Sequence, residues 1–378
     1  MFVDLSESRQ QIDEIDAQIV ELFEKRMKVA SNVADYKMET GKPVFDRERE
    51  EIKLQKVSEL TKDEFNKKCV TELFTQIMAM SRKLQYKKLE SRVEDSKLEA
   101  YEVIDKIDTA NVKVVYQGVP GAYSHEAMIN YFGEDVDNTN VDTFKDAMEA
   151  VSGGKADYAV IPIDNSSAGM VIDTYDLLQK YNNYIVAETF VKIEHCLLAK
   201  PGAKLEDIRT VFSHNQALMQ CADYLDEHKE WERKQYLNTA MSAKKISEED
   251  DLTQAAIGSE NCAKQYGLQI LAKGINSADG NTTRFIIVGK KRAFVKNAGK
   301  VSICFEIEHK AGSLYNAISH IMFNGLNMTK IESRPIAEHN WEFRFFIDFD
   351  GNLSEPGVRN ALRGIAEESI SLKLLGNY

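Results

Sequence analysis

Positively charged side chains recur at helical spacing near the start of the chain, where they could bind an anion. Arg26 and Lys37 are eleven residues apart in a stretch, 6–39, that has no glycine or proline and carries apolar residues at helical intervals. At about 100° per residue the two side chains return to nearly the same face, about 16 Å apart along the axis. A lone arginine on an apolar face ordinarily extends to solvent, but several cations on one face indicate an anion site.

The elements that position these cations are predicted to be three helices over residues 1–92. Gly41 and Pro43 end the first helix, a second begins near Asp46, and a third runs from about Glu64 to Leu89. Arg9 precedes Arg26 by seventeen residues, about 25 Å along one rigid helix, which is too far to share a small ligand within one chain. We therefore expect an intertwined helical dimer in which Arg9 serves the partner's site.

The order of these residues, followed by the run PVFDRERE (43–50), resembles the all-helical chorismate mutase family over about residues 5–90. The resemblance implies that a rearrangement of the dianion chorismate is catalysed by positioning and electrostatic complementarity. Lys37 and Gln85 would donate to the ether oxygen and Glu50 would bind a substrate hydroxyl, so these three are the expected catalytic residues. The implied substrate-binding set is Arg9, Arg26, Lys37, Asp46, Arg49, Glu50, Ser81 and Gln85.

The sequence pattern changes after a charged stretch, 93–110, that is predicted to be a linker. From Val112, short β-branched runs alternate with helix-like stretches, which predicts an α/β domain over 111–290. Its motifs QGVPGAYSHEA (117–127), IPIDNSSAGMV (161–171), SHNQALMQC (213–221) and TTRF (282–285) resemble prephenate dehydratases. The resemblance implies a two-lobed fold like that of type II periplasmic binding proteins, and a reaction that needs no metal or organic cofactor.

The same resemblance implies that Thr283 is the catalytic donor to the hydroxyl that leaves prephenate. Strand alternation places its neighbour Arg284 on the opposite face unless the strand ends there, which leaves Arg284 open between substrate binding and a structural role. Asp164 stands where the family pattern has a glutamate. His195 is interpreted as a core residue and His214 as part of a turn. The implied substrate-binding set is Ser124, Asp164, Asn165, Ser166, Ser213, Gln220, Thr283 and Arg284.

The last segment, 298–378, has the order strand, helix, strand, strand, helix, strand, which predicts an α+β ferredoxin-like fold. HKAGSLYNAI (309–318) and ESRP (332–335) resemble ACT domains of phenylalanine-inhibited dehydratases, with Ser313 in place of the usual alanine. The resemblance implies a regulatory site for L-phenylalanine between paired domains. Its expected residues are Ala311, Gly312, Ser313, Leu314, Glu332, Ser333, Arg334 and Pro335.

The composition of the chain argues against several other classes of protein. A net charge of −12, from 60 acidic and 48 basic residues, argues against nucleic acid as a partner. No apolar run approaches the length of a membrane span, and the first residues lack the order of a signal peptide, so we expect a cytoplasmic protein with no membrane partner. The five cysteines are scattered without a CxxC pair, so neither disulfides nor a metal site is expected.

Together the three resemblances imply a bifunctional enzyme of phenylalanine biosynthesis, with chorismate and prephenate as substrates and L-phenylalanine as effector. A homodimer is expected, and its pairing into a homotetramer is left open. A fusion to prephenate dehydrogenase is disfavoured because no GxGxxG follows any predicted strand. Arogenate dehydratase is not distinguished from prephenate dehydratase by any residue. A non-catalytic sensor is disfavoured by Thr283 and the full set of cations.

Overall fold

The computed structural model describes residues 4–89, 101–336 and 342–378. The chain divides into two compact units. Unit 1 consists of Met1–Ala100 and Phe305–Leu372, and unit 2 consists of Tyr101–Cys304 and Lys373–Tyr378.

Unit 1 begins with the three predicted helices, α1 (Leu5–Thr40), α2 (Arg47–Glu59) and α3 (Glu64–Leu89). Gly41 ends α1 in the left-handed conformation with φ 67°, which glycine adopts without a steric penalty. Asp46 caps α2 by accepting from the Arg49 amide at 3.1 Å. These three helix predictions are confirmed to within a residue or two.

Helix α1 buries little of its apolar surface against the other described residues of the chain. Ala34 is its one fully buried residue, whereas the side chains of Ile12, Ile15 and Ile19 are each more than half exposed. Apolar residues at this spacing ordinarily face a core, so the first half of α1 presents an uncovered apolar face.

The first lobe of unit 2 is a mixed sheet with strand order β6-β12-β4-β2-β3 and helices packed on it. Its strands are β2 (Lys113–Gln117), β3 (Asp137–Val141), β4 (Tyr158–Asn165), β5 (Gly169–Met170), β6 (Tyr184–Lys192) and β12 (Thr282–Gly289). Its helices are α4 (Tyr123–Phe132), α5 (Phe144–Ser152) and α6 (Ile172–Lys180). A short pair, β1 (Glu102–Ile104) with β13 (Ala293–Val295), runs parallel beside it.

The second lobe is a five-stranded sheet in the order β11-β7-β10-β8-β9, with a buried apolar cluster on each face. Its strands are β7 (Cys196–Ala199), β8 (Thr210–Ser213), β9 (Glu232–Gln235), β10 (Gln254–Gly258) and β11 (Gln269–Lys273). Its helices are α7 (Asn215–Gln220), α8 (Ala222–Asp226), α9 (Thr239–Glu248) and α10 (Glu260–Tyr266), and Leu205–Asp207 form a 3₁₀ turn. The chain enters this lobe after β6 and returns to the first lobe at β12, so two crossings join the lobes.

The C-terminal elements follow the predicted βαββαβ order. They are β14 (Lys300–Glu306), α11 (Ser313–Phe323), β15 (Met328–Pro335), β16 (Phe343–Asp350), α12 (Pro356–Glu368) and β17 (Ser371–Asn377). Within unit 1, β15 pairs antiparallel with β16.

The stretch predicted as a linker is only partly described. Residues 93–100 lie outside the described residues, and the described part, 101–110, contains strand β1, which pairs with β13. Among the described residues, every helix is too short or too polar to span a lipid bilayer. All five cysteines are free thiols, four of them buried.

Candidate active sites

A cavity of about 660 Å³ lies between α1, α2 and α3 in unit 1, and we refer to it as the helical cavity. Seven of the eight residues implied by the mutase resemblance line it: Arg26, Lys37, Asp46, Arg49, Glu50, Ser81 and Gln85. Lys53, Lys56 and Arg82 add three further cations to its walls. The helical cavity therefore suits a small molecule with more than one negative charge.

Arg26 is held at the base of the helical cavity by α3. Its Nη1 donates to Ser81 Oγ at 2.6 Å, and Ser81 in turn donates to the Ile77 carbonyl at 2.8 Å. Burial lowers the pKa of Arg26 and the nearby Glu50 carboxylate opposes that shift, so the guanidinium remains charged at neutral pH. Ser81 thus orients a cation instead of acting on its own.

Lys37 is fixed at the other end of the helical cavity, where Nζ donates to the Val44 carbonyl at 2.6 Å. Burial lowers its pKa, and the charges of Asp46, Glu50 and Glu367 raise it. One donated hydrogen bond leaves two more available on an ammonium group. Lys37 can therefore hold its position and still donate to a ligand.

Gln85 is 6 % exposed, and its Oε1 is buried without a hydrogen-bond partner among the described residues. A buried polar atom without a hydrogen bond costs about 1–3 kcal/mol in stability. Such atoms are rare in folded proteins, and a bound ligand can supply the missing hydrogen bond. Rotation of the amide by half a turn exchanges Oε1 for Nε2, so this position can offer a donor to a bound molecule.

Two of the residues implied in substrate binding, Arg49 and Arg9, are exposed to solvent. Arg49 lines the helical cavity but is exposed, so it lies at the rim. Arg9 is exposed on the same continuous helix as Arg26 and is absent from the cavity lining, as its separation along the axis required.

A second cavity, of about 500 Å³, lies between the two lobes of unit 2, and we call it the interlobe cleft. Four of the eight residues implied by the dehydratase resemblance line it: Ser124, Asn165, Gln220 and Thr283. Residues that were not predicted to bind substrate also line it, among them Gln117, Tyr123, His195, Gln216, Asn238 and Thr239.

Thr283 is the second residue of β12 and pairs with Asn165 of β4, and both residues line the interlobe cleft. Asn165 Nδ2 donates to Thr283 Oγ1 at 2.9 Å and to Asn281 Oδ1 at 2.8 Å, while Asn165 Oδ1 accepts from the amides of Ser167 and Ala168. Because the threonine oxygen accepts from Asn165, its own proton is free to be donated to another group. The network therefore makes Thr283 a hydrogen-bond donor.

Asp164 and Arg284 are the neighbours of this pair in the two strands, and they face the other side of the sheet. Arg284 Nη1 lies 3.1 Å from Asp164 Oδ2, and Arg284 Nε lies 2.7 Å from Glu188 Oε2. Neither residue is among those that line the interlobe cleft, and the ion pairs of Arg284 are those expected of the structural alternative. Strand alternation is the reason, and the Asp164 side chain needs only to reach a guanidinium in the adjacent strand.

His195 lies on a crossing between the lobes and is 2 % exposed. Its Nδ1 is 3.1 Å from the Tyr123 hydroxyl and its Nε2 is 2.9 Å from Gln220 Oε1. Burial lowers the pKa of His195, so the imidazole is neutral at physiological pH. The interpretation of a satisfied buried histidine is correct, but the residue also forms part of the cleft wall, which the apolar sequence around it gave no reason to expect.

Of the three serines predicted to bind substrate, Ser124 lines the interlobe cleft, whereas Ser166 and Ser213 do not. Ser124 is the second residue of α4, whose N-cap is Ala122, and His214 caps α7. Ser213 is fully buried and donates to the Ile257 carbonyl at 2.9 Å, outside the cleft lining. Ser166 is exposed and accepts from the Thr282 amide, again outside the lining.

The residues implied in phenylalanine binding lie on two elements of unit 1. Gly312, with φ 84°, precedes α11, whose N-terminus has no side-chain cap, and Glu332 to Pro335 end β15. Ala311 and Gly312 are exposed, Ser313 and Leu314 are half-buried, and the side chains of β15 alternate between exposed and half-buried. No group of three or more histidine, cysteine or acidic side chains that could hold a metal was found in residues 4–89, 101–336 and 342–378.

Comparisons with known proteins agree with this division of the chain. Residues 8–86 match the family described as chorismate mutase type II, and residues 114–293 match the family described as prephenate dehydratase. The helical cavity lies in the first match and the interlobe cleft in the second, so the fold and the sites define a two-activity isomerase and lyase.

Full-length relatives carry both parts in one chain. A bifunctional chorismate mutase/prephenate dehydratase of Buchnera aphidicola subsp. Schizaphis graminum is 33% identical over 99% of this chain and 96% of its own length. The chain therefore belongs to the family of bifunctional chorismate mutase/prephenate dehydratases, enzymes of phenylalanine biosynthesis.

Two solved structures resemble most of the chain. A prephenate dehydratase from Arthrobacter aurescens in complex with L-Phe is 31% identical with a TM-score of 0.66, covering 71% of this chain and 89% of that one. A protein described as GqqA, a quorum quenching acylase, is 30% identical with a TM-score of 0.65, covering 70% of this chain and 96% of that one. The different activity named for the second shows that this fold alone does not determine the reaction.

Proposed function

We propose that the helical cavity rearranges chorismate by electrostatic complementarity. Arg26 and Arg49 pair with the substrate carboxylates, Lys37 and Gln85 donate to the ether oxygen as charge develops on it, and Glu50 accepts from the substrate hydroxyl. Asp46 supports Arg49 by capping its helix. The observation that carries this proposal is the convergence of Arg26, Lys37 and the unsatisfied Gln85 amide in one cavity.

Replacing the ammonium group tests this proposal. Lys37→Met should lower the mutase kcat by about 10²-fold or more, the usual cost of removing one donor from a developing negative charge. Lys28→Met, an exposed lysine of α1 outside the cavity lining, is the matched control and should retain full activity. Equal rates for the two variants would reject the assigned role of Lys37.

In the interlobe cleft we propose that the Thr283 hydroxyl donates a hydrogen bond to the departing hydroxyl of prephenate. The bond from the ring to the leaving carboxylate breaks to release carbon dioxide, its electron pair completes the aromatic ring, and the C–O bond breaks to release hydroxide, which takes a proton from water. Asn165 sets the direction of that donor by occupying the threonine oxygen. The substrate carboxylates are held by neutral donors and by backbone amides at helix starts, of which α4 has no side-chain cap. Closure of the lobes would exclude water from the reaction.

We further propose that two copies pair along α1, giving an intertwined homodimer. The exposed apolar face at Ile12, Ile15 and Ile19 supports this pairing, since burying it would remove a large apolar surface from water. Pairing would also bring Arg9 of the partner to a helical cavity that lacks it. Measurement of the molecular mass in solution distinguishes such a dimer from a tetramer.

Residues 298–378 are proposed to be a regulatory domain of the ACT type that binds L-phenylalanine and inhibits the dehydratase. Support comes from the βαββαβ order, from the uncapped start of α11 beside Gly312, and from the L-Phe complex of the relative described above. An uncapped helix start offers backbone amides to a carboxylate.

Feeding chorismate to the intact chain and following prephenate and phenylpyruvate, with and without L-phenylalanine, tests this regulation. We expect phenylpyruvate formation to fall and the thermal transition to rise with L-phenylalanine, with D-phenylalanine as the control ligand. Insensitive kinetics with an unchanged thermal transition would reject the regulatory site.

A further inference from the structure

Arg82 follows Ser81 on α3 and is 6 % exposed at one wall of the helical cavity. Its Nη1 donates to Glu50 Oε2, and its Nη2 donates to Glu368 Oε1 at 2.8 Å. The Phe45 ring lies below the guanidinium, 4.8 Å from centroid to Cζ. Arg82 therefore connects a carboxylate of the helical cavity to a carboxylate of α12 through one rigid planar group.

The contact with Glu50 occupies only one of the two carboxylate oxygens. Oε2 accepts from Arg82, and a carboxylate can accept at both oxygens, so Oε1 is left for a substrate hydroxyl. A side chain that must meet a substrate within a few tenths of an ångström needs such a support, because exposed glutamates sample several rotamers.

Helix α12 presents two adjacent carboxylates to this region. Glu368 has a 13 % exposed side chain and also lies 3.8 Å from His320 Nε2. Burial raises the pKa of Glu367 to about 7, while the charges of Arg82 and Lys37 oppose that rise. Two cations of the helical cavity thus interact with acids from the C-terminal segment of unit 1.

We propose that Arg82 is a positioning residue for Glu50, and that Glu368 of α12 holds Arg82 in place, so that the C-terminal segment completes the mutase site. The inference rests on the proposed role of Glu50. Removing Glu368 would leave a buried guanidinium with one carboxylate instead of two, and the unbalanced charge would shift toward solvent or rotate away from Glu50.

The test compares Arg82→Gln, Glu368→Gln, the double variant and Arg82→Lys in the full chain. Arg82→Gln should lower the mutase kcat by about 10-fold or more with little change in KM, since misplacement of a reacting group acts on the transition state. Glu368→Gln should lower kcat several-fold. The double variant should match Arg82→Gln alone, because Glu368 acts only through Arg82. Arg82→Lys keeps the charge without the planar bridge and should recover part of the loss.

Controls separate positioning from folding. Glu308→Gln removes another ion pair between the C-terminal segment and α2, the 2.9 Å contact with Arg47, and should leave the mutase unchanged. Dehydratase activity and the thermal transition of each variant report whether the chain has folded. If Arg82→Gln does not fold, the mutase kcat of the milder Glu368→Gln variant tests the proposal.

A mutase kcat unaffected by both single variants, or a double variant whose loss is the product of the single losses, would overturn the positioning role. A parallel Glu50→Gln variant distinguishes a failure of the proposed mutase site from a failure of the positioning role of Arg82. If Glu50→Gln retains mutase activity, the proposed site itself fails. If only Glu50→Gln is impaired, the site stands and the role of Arg82 fails.

Discussion

The helical cavity and the interlobe cleft are both proposed to bind small dianions, yet their walls differ in charge. Six lysines and arginines line the helical cavity: Arg26, Lys37, Arg49, Lys53, Lys56 and Arg82. The lining of the interlobe cleft in the described residues contains no lysine, arginine, aspartate or glutamate, and its polar groups are amides, hydroxyls and imidazoles. One chain thus contains two solutions to the same binding problem.

The difference follows from the reactions. The rearrangement of chorismate moves no proton, so a rigid set of cations can stabilise charge as it shifts within the substrate. The dehydration needs a hydrogen-bond donor at the leaving hydroxyl, and a neutral hydroxyl that is fixed in direction can supply it without a charged group in the cleft. Neutral donors such as the Thr283 hydroxyl, directed by Asn165, suit the second task.

The largest effect is expected from removing the donor of the interlobe cleft. Thr283→Ala should lower dehydratase kcat by about 10²–10⁴-fold, the usual range for a positioned proton donor, and leave the mutase unchanged. Thr282→Ala, one residue earlier on the same strand and outside the cleft lining, is the control. Near-normal phenylpyruvate formation by Thr283→Ala would show that Thr283 is not the donor of the interlobe cleft.

Mixed dimers test whether the cations of the helical cavity come from two chains. Arg9→Ala and Arg26→Ala chains should each be inactive as mutases, but mixing should restore up to about a quarter of wild-type activity. Half the dimers would be hybrids, and each hybrid has one intact site of two. Subunit exchange, followed by mass, is the necessary control. Exchange without recovery would show that Arg9 serves no shared site.

Ionic strength should separate the two sites by a smaller factor. Raising the salt concentration from about 0.01 M to about 1 M shortens the screening length from about 30 Å to about 3 Å. We expect the mutase KM to rise several-fold and the dehydratase KM to change by less than about twofold, since charge pairs are screened more than hydrogen bonds between neutral groups. Two different salts should give the same curves. Equal responses of the two KM values would contradict the contrast in charge.

The smallest effect concerns the stability of unit 1. The pKa of Glu367 is about 7 in the folded chain and 4.5 ordinarily, so between these values the folded state keeps a proton that the unfolded state releases. The free energy of unfolding therefore decreases as pH rises through this window. Glu367→Gln should be close to neutral at pH ~4.5 and stabilising by about 1–3 kcal/mol above pH ~7.5.

The groups that face Glu367 and contribute to this pKa are Arg82 on α3, Lys37 on α1 and Glu368 on α12, together with the Phe45 backbone. Thermal unfolding of the variant and the wild type at the two pH values measures the difference. Glu308→Gln is the control and should show no alkaline gain, because Lys310 and Arg47 lower the pKa of that carboxyl. A gain equal at both pH values would rule out the ionisation of Glu367 as the cause.

Much of the fold could be predicted because periodicity is a local property. The bounds of α1, α2 and α3 follow from capping residues and from the absence of glycine and proline. The strands that carry the dehydratase motifs were also identified. The short strands β1, β9 and β13 were not, because a strand of three or four residues is too short to show an alternation that a pattern can detect.

The cavity residues were predictable where a rigid helix fixes their spacing, and less so where the chain crosses between lobes. Arg26 and Lys37 lie on one helix, so their separation follows from its geometry. His195 reaches the interlobe cleft only because two crossings bring it beside Tyr123 and Gln220. Arg82 and Glu368 are 286 residues apart, and no local pattern could have paired them.

The central claim is that one chain has two separate active sites, one in the helical cavity and one in the interlobe cleft. It is tested most directly by giving chorismate, and separately prephenate, to Arg26→Ala and Thr283→Ala chains and measuring both products. We expect Arg26→Ala to convert prephenate but not chorismate, and Thr283→Ala to convert chorismate to prephenate that accumulates. Loss of both reactions, on both substrates, from either folded variant would contradict it.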